Sequence, residues 1–268
     1  MQLNRIAVVT GAASGMGEAT AQLLHEAGWQ LLLCDLSESR LRESAAAYAK
    51  PEEVSFIAGD IATSDFLTAF NAAIDGREIG AMVHCAGISP TMGSPERILE
   101  VNLAATMRLA DAALPHMAAD SAVVLFASSS GHMMGTVFDE RIDAADTQDK
   151  VAALLEICPN EGVAYGVSKR GVILLAKREA PRFGAKGVRL VSLSPGIIDT
   201  PMGRQEMENS PIMQTLVERS ALPRSAKPRE VGTVARFLCS CDASFITGTD
   251  ILVDGGSLSR GRPTAPAA

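Results

Sequence analysis

The segment R-I-A-V-V-T-G-A-A-S-G-M-G, residues 5–17, joins a short apolar run to a glycine-rich turn. The β-branched run Arg5–Thr10 predicts a buried strand, and the Ala- and Leu-rich residues 18–27 predict a helix. Glycines let the turn approach a ligand closely, while the helix N-terminus presents free N–H groups. Strand, turn and helix together indicate a site for a nucleotide pyrophosphate. The spacing, G-x-x-x-G-x-G, is not the commonest fingerprint, and a flexible loop is the alternative.

A second apolar run, Q-L-L-L-C at residues 30–34, ends in Asp35. A carboxylate at this point accepts hydrogen bonds from the hydroxyls of an adenosine ribose and repels a 2′-phosphate. Residues 12–14 contain no Lys or Arg, and Leu36 follows the acid, so the pattern favours NAD over NADP. The alternative is that Asp35 is a helix N-cap or a turn residue.

Tyr165 and Lys169 occur in the motif Y-G-V-S-K, with Ser128 upstream. Residues four apart on a helix leave the same face. A phenol has an ordinary pKa of about 10, and an ammonium group beside it lowers that pKa. We therefore expect Lys169 to make Tyr165 an acid/base able to exchange a proton with an alcohol or a carbonyl oxygen. A Tyr–Lys pair at this spacing is common on surface helices, so it indicates catalysis only because the same chain also contains a predicted nucleotide site.

These motifs resemble those of the short-chain dehydrogenase/reductase family over residues 5–256. The resemblance implies one Rossmann-like domain at residues 1–258, a three-layer α/β sandwich around a doubly wound parallel sheet of about seven strands. The alternation of strand-like and helix-like segments along the chain also favours such a sheet. The resemblance further implies catalysis by Ser128, Tyr165 and Lys169, with Asn102, in a helix expected at residues 95–117, holding a proton-relay water. Asn102 could instead be a satisfied polar residue inside an apolar helix.

The resemblance also implies which residues contact NAD. Asp60 and Ile61 follow a third predicted strand, Val54–Ala58, and Cys85 stands where the family usually has Asn. A small thiol suits a buried strand end, so we do not expect Cys85 to be catalytic. Asp60 could merely end its strand, and Pro195-Gly196 could be a simple turn. The full expected set is Gly11, Ser14, Gly15, Met16, Gly17, Asp35, Asp60, Ile61, Cys85, Ala86, Gly87, Tyr165, Lys169, Pro195, Gly196, Ile198 and Thr200.

Ser128 is the first of three consecutive serines after a strand predicted at residues 123–127. Ser129 and Ser130 compete with it for the catalytic role, and alternation along a strand would point Ser128 and Ser130 the same way. Residues 132–162 then form an insertion before the Tyr helix, with a helix start expected at 146–149 and a helix at 150–157. Such an insertion is similar to that of the bacterial 3α-hydroxysteroid dehydrogenase/carbonyl reductase branch, where it favours dimers over tetramers. The alternative is a surface decoration.

Residues 201–227 correspond to the segment that closes over the substrate in the family. Methionine adapts to irregular apolar ligands, so we expect a small hydrophobic alcohol or ketone as the substrate. Ordinary helix packing is the alternative. The apolar residues of this segment are Met202, Met207, Ile212, Met213 and Leu216.

The formal charge of −7 and the lack of a basic stripe argue against nucleic-acid binding. No apolar run is long enough to span a membrane, and the N-terminal residues lack the pattern of a signal peptide, so we expect neither a membrane span nor secretion. Five scattered cysteines indicate no metal site and a reduced, cytoplasmic location. We expect a homodimer or homotetramer and a mobile tail at residues 259–268. The rival functions are a non-catalytic NAD-binding sensor or scaffold and a sugar-nucleotide epimerase or dehydratase.

Overall fold

The computed structural model describes residues 5–144 and 150–259. Seven strands form one sheet: β1 (Arg5–Thr10), β2 (Gln30–Asp35), β3 (Val54–Ala58), β4 (Glu78–His84), β5 (Met117–Phe126), β6 (Arg189–Pro195) and β7 (Asp250–Val253). Every pair of neighbouring strands is parallel, in the order β3-β2-β1-β4-β5-β6-β7.

Helices cover both faces of this sheet. They are α1 (Gly15–Glu26), α2 (Glu38–Ala46), α3 (Ser64–Ile74), α4 (Pro95–Leu99), α5 (Ala105–Ala113), α6 (Ser129–Met133), α7 (Asp139–Ala144), α8 (Lys150–Leu155), α9 (Glu161–Gly184), α10 (Pro201–Asn209), α11 (Pro211–Glu218) and α12 (Pro228–Leu238). A π-helical turn, Glu100–Ala104, joins α4 to α5, and short 3₁₀ turns lie at Pro51–Glu53, Pro90–Met92, Leu114–His116 and Cys241–Ala243. Among the described residues, no helix combines the length and apolar character needed to cross a bilayer.

The central strands carry apolar residues on both faces because both sides of the sheet are covered. In β1, Ile6 and Val8 join a core cluster with α3, α5 and α9, whereas Ala7 and Val9 join a second cluster with α1, α2 and α12. These two cores are the spaces between three layers. The predicted α/β sandwich with a doubly wound sheet of about seven parallel strands is confirmed.

The region around Pro115 differs from the prediction. The helix expected over residues 95–117 ends at Ala113, because helices end at or before the residue preceding a proline. Strand β5 consequently begins at Met117, upstream of the predicted residue 123. Its first part is irregular, since Asp120 has a positive φ of 63° and its N–H donates to the Gly187 carbonyl at 2.9 Å.

The insertion at residues 132–162 folds against the body of the domain. Arg170 on α9 donates to both carboxylate oxygens of Asp139 on α7, at 2.7 and 2.6 Å. Ile142 and Leu154 are buried in the core, so the insertion is more than a surface decoration. A helix appears at Lys150–Leu155, shorter than the predicted 150–157. The predicted helix start at 146–149 and residues 260–268 of the predicted tail lie outside the described residues.

The strand order places the candidate site. From β1 the chain builds outward through β2 and β3, and then returns to build outward on the other side from β4. A crevice forms at such a reversal, outside the carboxyl ends of the strands. The loops after β1, β4, β5 and β6 therefore meet at one edge of the sheet, and these loops carry most of the predicted site residues.

Candidate active site

The turn after β1 packs against the loop after β4. Gly11 has a φ of +65°, and a Cβ on it would lie 2.9 Å from the Ala86 nitrogen. A Cβ on Gly17 would lie 2.1 Å from the Gly11 carbonyl oxygen, so both positions require glycine. The side chain of Ser14, which precedes α1, makes no capping hydrogen bond. The first N–H groups of this 12-residue helix therefore remain available for an anion.

Asp35 lies at the carboxyl end of β2, beside this turn. Its Oδ2 accepts from the Ala13 N–H at 3.0 Å, and its Oδ1 accepts from the Ser37 N–H at 3.3 Å. Asp35 therefore acts as a turn residue, which was the alternative to a cofactor contact. Its carboxylate also holds the glycine turn in place. Leu36 beside it is exposed, and the ribose contact stays a prediction.

Asp60 and Ile61 follow β3. The Asp60 carboxylate accepts from the Ala62 N–H at 3.0 Å and forms an ion pair with Arg97. Ile61 is partly buried against the core. Asp60 therefore ties the end of its strand to α4, and its contact with adenine stays a prediction.

The loop after β4 begins with Cys85, Ala86 and Gly87. The Ala86 N–H donates to Thr10 Oγ1 at 3.1 Å, and burial raises the pKa of the Cys85 thiol far above its ordinary value. The thiol is therefore protonated at neutral pH and is no nucleophile. A Cβ on Gly87 would approach the Lys169 Nζ at 3.3 Å, so this bare backbone lies beside Lys169.

Buried His84 lies in a chain of hydrogen bonds that connects Thr10 to Thr106. Thr106 Oγ1 donates to the Asn102 carbonyl at 2.9 Å, so it accepts from His84 Nε2, also at 2.9 Å. His84 Nδ1 then accepts from Thr10 Oγ1 at 2.8 Å. Burial, aided by the Lys169 charge, lowers the pKa of His84 to about 3. This neutral imidazole links β1, β4 and α5, and the sequence analysis did not identify it.

Asn102 lies in the π-helical turn and is buried. Its Oδ1 accepts from the Ile88 N–H at 2.8 Å, and its Nδ2 donates to the Ile88 carbonyl at 2.9 Å. Nδ2 also lies 3.4 Å from Ser168 Oγ. The side chain is thus a satisfied polar group that holds the loop after β4, as the alternative proposed. Its part in a proton relay stays a prediction.

Tyr165 and Lys169 lie on the same face of α9, as predicted. The Lys169 Nζ is 5.8 Å from the centre of the Tyr165 ring and donates to the Phe126 carbonyl at 2.9 Å. Ser128 approaches from the end of β5, and hydrogen bonding to its hydroxyl favours the Tyr165 phenolate. The structure therefore brings the three predicted catalytic side chains together.

The three serines do not alternate along a strand, so that prediction is wrong. Strand β5 ends at Phe126, and Ser128 is the N-cap of α6, with its Oγ accepting from the Ser130 N–H at 3.2 Å. Ser128, Ser129 and Ser130 all line the same cavity. The interaction with Tyr165 distinguishes Ser128 from the other two.

The expected acidification of Tyr165 by Lys169 is also wrong. Burial raises the pKa of Tyr165 above its ordinary value, and the negative charge of Glu206 raises it further, while Ser128 acts in the opposite direction. Burial lowers the pKa of Lys169 to about 8. The amine points to the Phe126 carbonyl rather than to the phenol oxygen, which the four-residue spacing alone does not reveal.

A cavity of about 290 Å³ opens beside Ser128 and Tyr165. Much of its wall is apolar, and three of its apolar residues, Met202, Met213 and Leu216, belong to the predicted closing segment. Met207 of the same segment instead packs its sulfur 3.8 Å from Ser225 Oγ, and nothing is described for the Ile212 side chain. Met133 and Gly162 bring both ends of the insertion to the cavity. Other apolar lining residues are Met16, Pro90, Ile197 and Leu258.

The loop after β6 closes the cavity beside the glycine turn. The Gly196 N–H donates to the Val253 carbonyl at 2.9 Å, and a Cβ at this position would lie 2.7 Å from the Asp254 Cα. Thr200 Oγ1 caps α10 by accepting from the Gly203 N–H at 2.9 Å. Gly196, Ile198 and Thr200 line the cavity, so Pro195-Gly196 is more than a simple turn. Glu206 also lines it and was missed, because the sequence analysis of this segment weighed only its apolar residues.

Comparisons with known proteins agree with this geometry. The family model described as short chain dehydrogenase matches residues 5–139, and that described as enoyl-(acyl carrier protein) reductase matches residues 150–257. An uncharacterized short-chain type dehydrogenase/reductase of Sinorhizobium fredii is 30% identical over 98% of this chain, which spans only 45% of that relative's length.

Two hydroxysteroid enzymes are similar over their whole length. A 3-alpha-hydroxysteroid dehydrogenase/carbonyl reductase of Comamonas testosteroni is 28% identical, covering 97% of this chain and 98% of its own. The crystal structure of the 3-alpha-hydroxysteroid dehydrogenase from Pseudomonas sp. B-0831 complexed with NADH has a TM-score of 0.79 and 27% identity, over 95% of this chain and 98% of that chain. The similarity to this branch, expected from the insertion, is confirmed. This chain belongs to the short-chain dehydrogenase/reductase family of oxidoreductases.

Proposed function

We propose that the protein is an NAD-dependent oxidoreductase that interconverts a hydrophobic secondary alcohol and its ketone. The observation that carries the proposal is that Ser128 and Tyr165 meet at a largely apolar cavity beside the glycine turn, with buried Lys169 next to the Tyr165 ring. A protein that only binds a nucleotide has no need for three such groups at one point.

The chain offers complementary groups for the pyrophosphate, the two riboses and the carboxamide of NAD. The turn at residues 11–17 and the free N–H groups of α1 suit the pyrophosphate, and Asp35 suits the adenosine ribose. Lys169, beside the bare backbone of Gly87, suits the nicotinamide ribose, and the loop from Gly196 to Thr200 suits the carboxamide. When bound, NAD supplies the hydride acceptor, and the protein supplies orientation and electrostatics. The NADH complex of the similar Pseudomonas enzyme supports this assignment.

The residues of the chain then handle the proton. Ser128 donates a hydrogen bond to the substrate oxygen and orients it toward Tyr165. In oxidation the Tyr165 phenolate takes the hydroxyl proton, and in reduction the Tyr165 phenol returns a proton to the carbonyl oxygen. Since the pKa of Lys169 is lowered to about 8, its amine readily exchanges a proton near neutral pH, which suits it to the relay proposed with Asn102.

The cavity supports a hydrophobic substrate. Its apolar wall residues exclude water from the reacting group, and the two helices α10 and α11 supply part of that wall. The two similar enzymes described above are named as hydroxysteroid dehydrogenases. A hydroxysteroid or another bulky carbonyl compound therefore fits the proposal.

A direct assay tests this function. The purified protein is incubated with NAD, or in parallel with NADP, and with a panel of hydrophobic secondary alcohols, including hydroxysteroids, while NADH absorbance is followed. We expect NADH to form with at least one class of alcohol and NAD to be preferred. NAD binding without turnover of any alcohol, and without reduction of the matching ketones, would instead identify a non-catalytic sensor.

A further inference from the structure

Glu206 places a carboxylate in the cavity wall, where it is the one charged side chain among the described lining residues. It lies on α10, and its Oε1 accepts a hydrogen bond from Thr91 Oγ1 at 2.8 Å. Thr91 Oγ1 is in turn 3.0 Å from Ser89 Oγ, and Ser89 is buried in the cavity wall. The hydroxyl of Thr91 therefore holds the carboxylate in one position at the cavity.

The charge of Glu206 is not neutralised by an ion pair within residues 5–144 and 150–259. Arg204, on the same helix, pairs with Asp199 instead. Glu206 Oε2 has no hydrogen-bond donor among the described residues, although the side chain is partly buried. The other described residues of the cavity wall carry apolar groups, hydroxyls or bare backbone. Oε2 of this carboxylate is therefore open to a hydrogen-bond donor on a ligand.

Such a carboxylate discriminates between ligands by charge. A hydroxyl or an ammonium group on the ligand would donate a charge-assisted hydrogen bond to it, whereas a ligand carboxylate would be repelled. Tyr165 and Glu206 reach the cavity from different helices, α9 and α10. The structure gives Glu206 no hydrogen bond with Ser128 or Tyr165, so we assign its donor to a second polar group of the ligand, separate from the oxygen that those two residues handle.

We propose that Glu206 determines the substrate class: a hydrophobic alcohol or ketone with a hydrogen-bond donor, hydroxyl or ammonium, remote from the reacting carbon, and without a carboxylate. This inference rests on the proposed oxidoreductase function and deepens it. Both Glu206 and Tyr165 line the cavity, and the charge of Glu206 raises the pKa of Tyr165, so the two groups act on the same ligand.

Four probes on the same ring test the proposal: cyclohexanols with a methyl, hydroxymethyl, aminomethyl or carboxylate group on the carbon opposite the hydroxyl. For the wild-type protein with NAD, we expect kcat/KM for the hydroxymethyl and aminomethyl probes to exceed that of the methyl probe by about tenfold, as for a hydrogen bond to a charged group. The carboxylate probe should be the poorest. Comparing the hydroxymethyl and aminomethyl probes shows whether Glu206 prefers a neutral hydrogen-bond donor or a cation.

The matched variants are Glu206→Gln and Glu208→Gln, because Glu208 is an exposed acid on the same helix. Glu206→Gln should lower kcat/KM for the aminomethyl probe and raise it for the carboxylate probe, each by about tenfold, while Glu208→Gln keeps the wild-type order. Unchanged ratios of kcat/KM among the four probes in Glu206→Gln would overturn the inference and leave the oxidoreductase function standing.

Binding gives a readout that does not depend on turnover. Calorimetric titration of the wild-type protein with NADH and each probe should rank the affinities in the same order. If no alcohol is oxidised, the proposed function fails while this titration still tests Glu206. Equal affinity for the aminomethyl and carboxylate probes would overturn the inference on its own.

Discussion

At the scale of single residues, Tyr165 carries a proton whose release is opposed by burial and by Glu206 and favoured by Ser128. Alcohol oxidation needs the phenolate, so we expect its kcat/KM to rise with pH through the alkaline range. The rise should continue above pH 8, where Lys169, with a pKa of about 8, has lost its charge. Initial rates of alcohol oxidation across this pH range measure the rise. A kcat/KM that becomes constant below pH 8 would contradict the account.

Glu206→Gln should lower the pKa of Tyr165, because it removes a neighbouring negative charge. The chain has two tyrosines, and burial raises the pKa of Tyr48 to about 12. In a Tyr48→Phe background, the near-ultraviolet absorbance of tyrosinate therefore reports Tyr165 alone. Glu208→Gln is the control, and an equal alkaline midpoint in both variants would show that Glu206 does not act on Tyr165.

Asp35→Ala tests the cofactor choice. The change removes the charge that would repel a 2′-phosphate and also frees the Ala13 and Ser37 N–H groups. We expect the ratio of kcat/KM for NAD to that for NADP to fall by about tenfold, the worth of a hydrogen bond to a charged group. A melting curve checks that the fold is retained, and an unchanged ratio would remove Asp35 from the cofactor site.

At the scale of elements, the glycine turn allows a sharper test. Gly17→Ala places a Cβ 2.1 Å from the Gly11 carbonyl oxygen, so the turn has to shift. We expect calorimetry to show NAD affinity reduced by at least about tenfold, since the N–H groups of α1 no longer face the pyrophosphate. Gly184→Ala, where the added Cβ meets nothing within 4 Å, should bind NAD like the wild type. Equal binding by both variants would argue against a pyrophosphate at this turn.

Elements with a clear local signal could be predicted from the sequence. Strands β1, β2 and β3 lie where they were predicted because each is a short, mainly apolar run with a sharp end. The helix predicted over residues 95–117 is too long, because its apolar pattern continues past Pro115 into β5 and gives no sign of where the helix ends. Spacing also placed Tyr165 and Lys169 on one face, but burial and the Phe126 carbonyl determine their ionisation. Such tertiary contacts leave no mark in the local sequence.

At the scale of the whole molecule, His84 connects the site to global stability. Its pKa is about 3 in the folded protein, against an ordinary value of 6.5, so the unfolded chain binds a proton that the folded protein excludes. The stabilisation is fully present above pH 6.5 and is lost as the pH falls toward 3. We expect this residue alone to reduce the free energy of unfolding by up to about 1.4 kcal/mol per pH unit in that window.

Denaturant titrations of the wild type and of His84→Gln at several pH values measure this effect. The variant should be less stable at neutral pH, because the chain from Thr10 through His84 to Thr106 is disturbed. The free energy of unfolding of the variant should also fall less steeply as the pH decreases. The contributions of the other titrating groups are common to both proteins and cancel when the two curves are subtracted. Parallel curves for the two proteins would show that His84 is not held neutral.

The central claim is that Tyr165 exchanges the proton of the substrate oxygen while the rest of the chain holds the cofactor. Tyr165→Phe removes one hydroxyl and keeps the ring beside Lys169. The decisive measurement is kcat for alcohol oxidation at saturating NAD, made on the same preparation as a calorimetric NADH titration. The account predicts a fall in kcat of at least about a hundredfold with NADH affinity unchanged. Full turnover by this variant would contradict it.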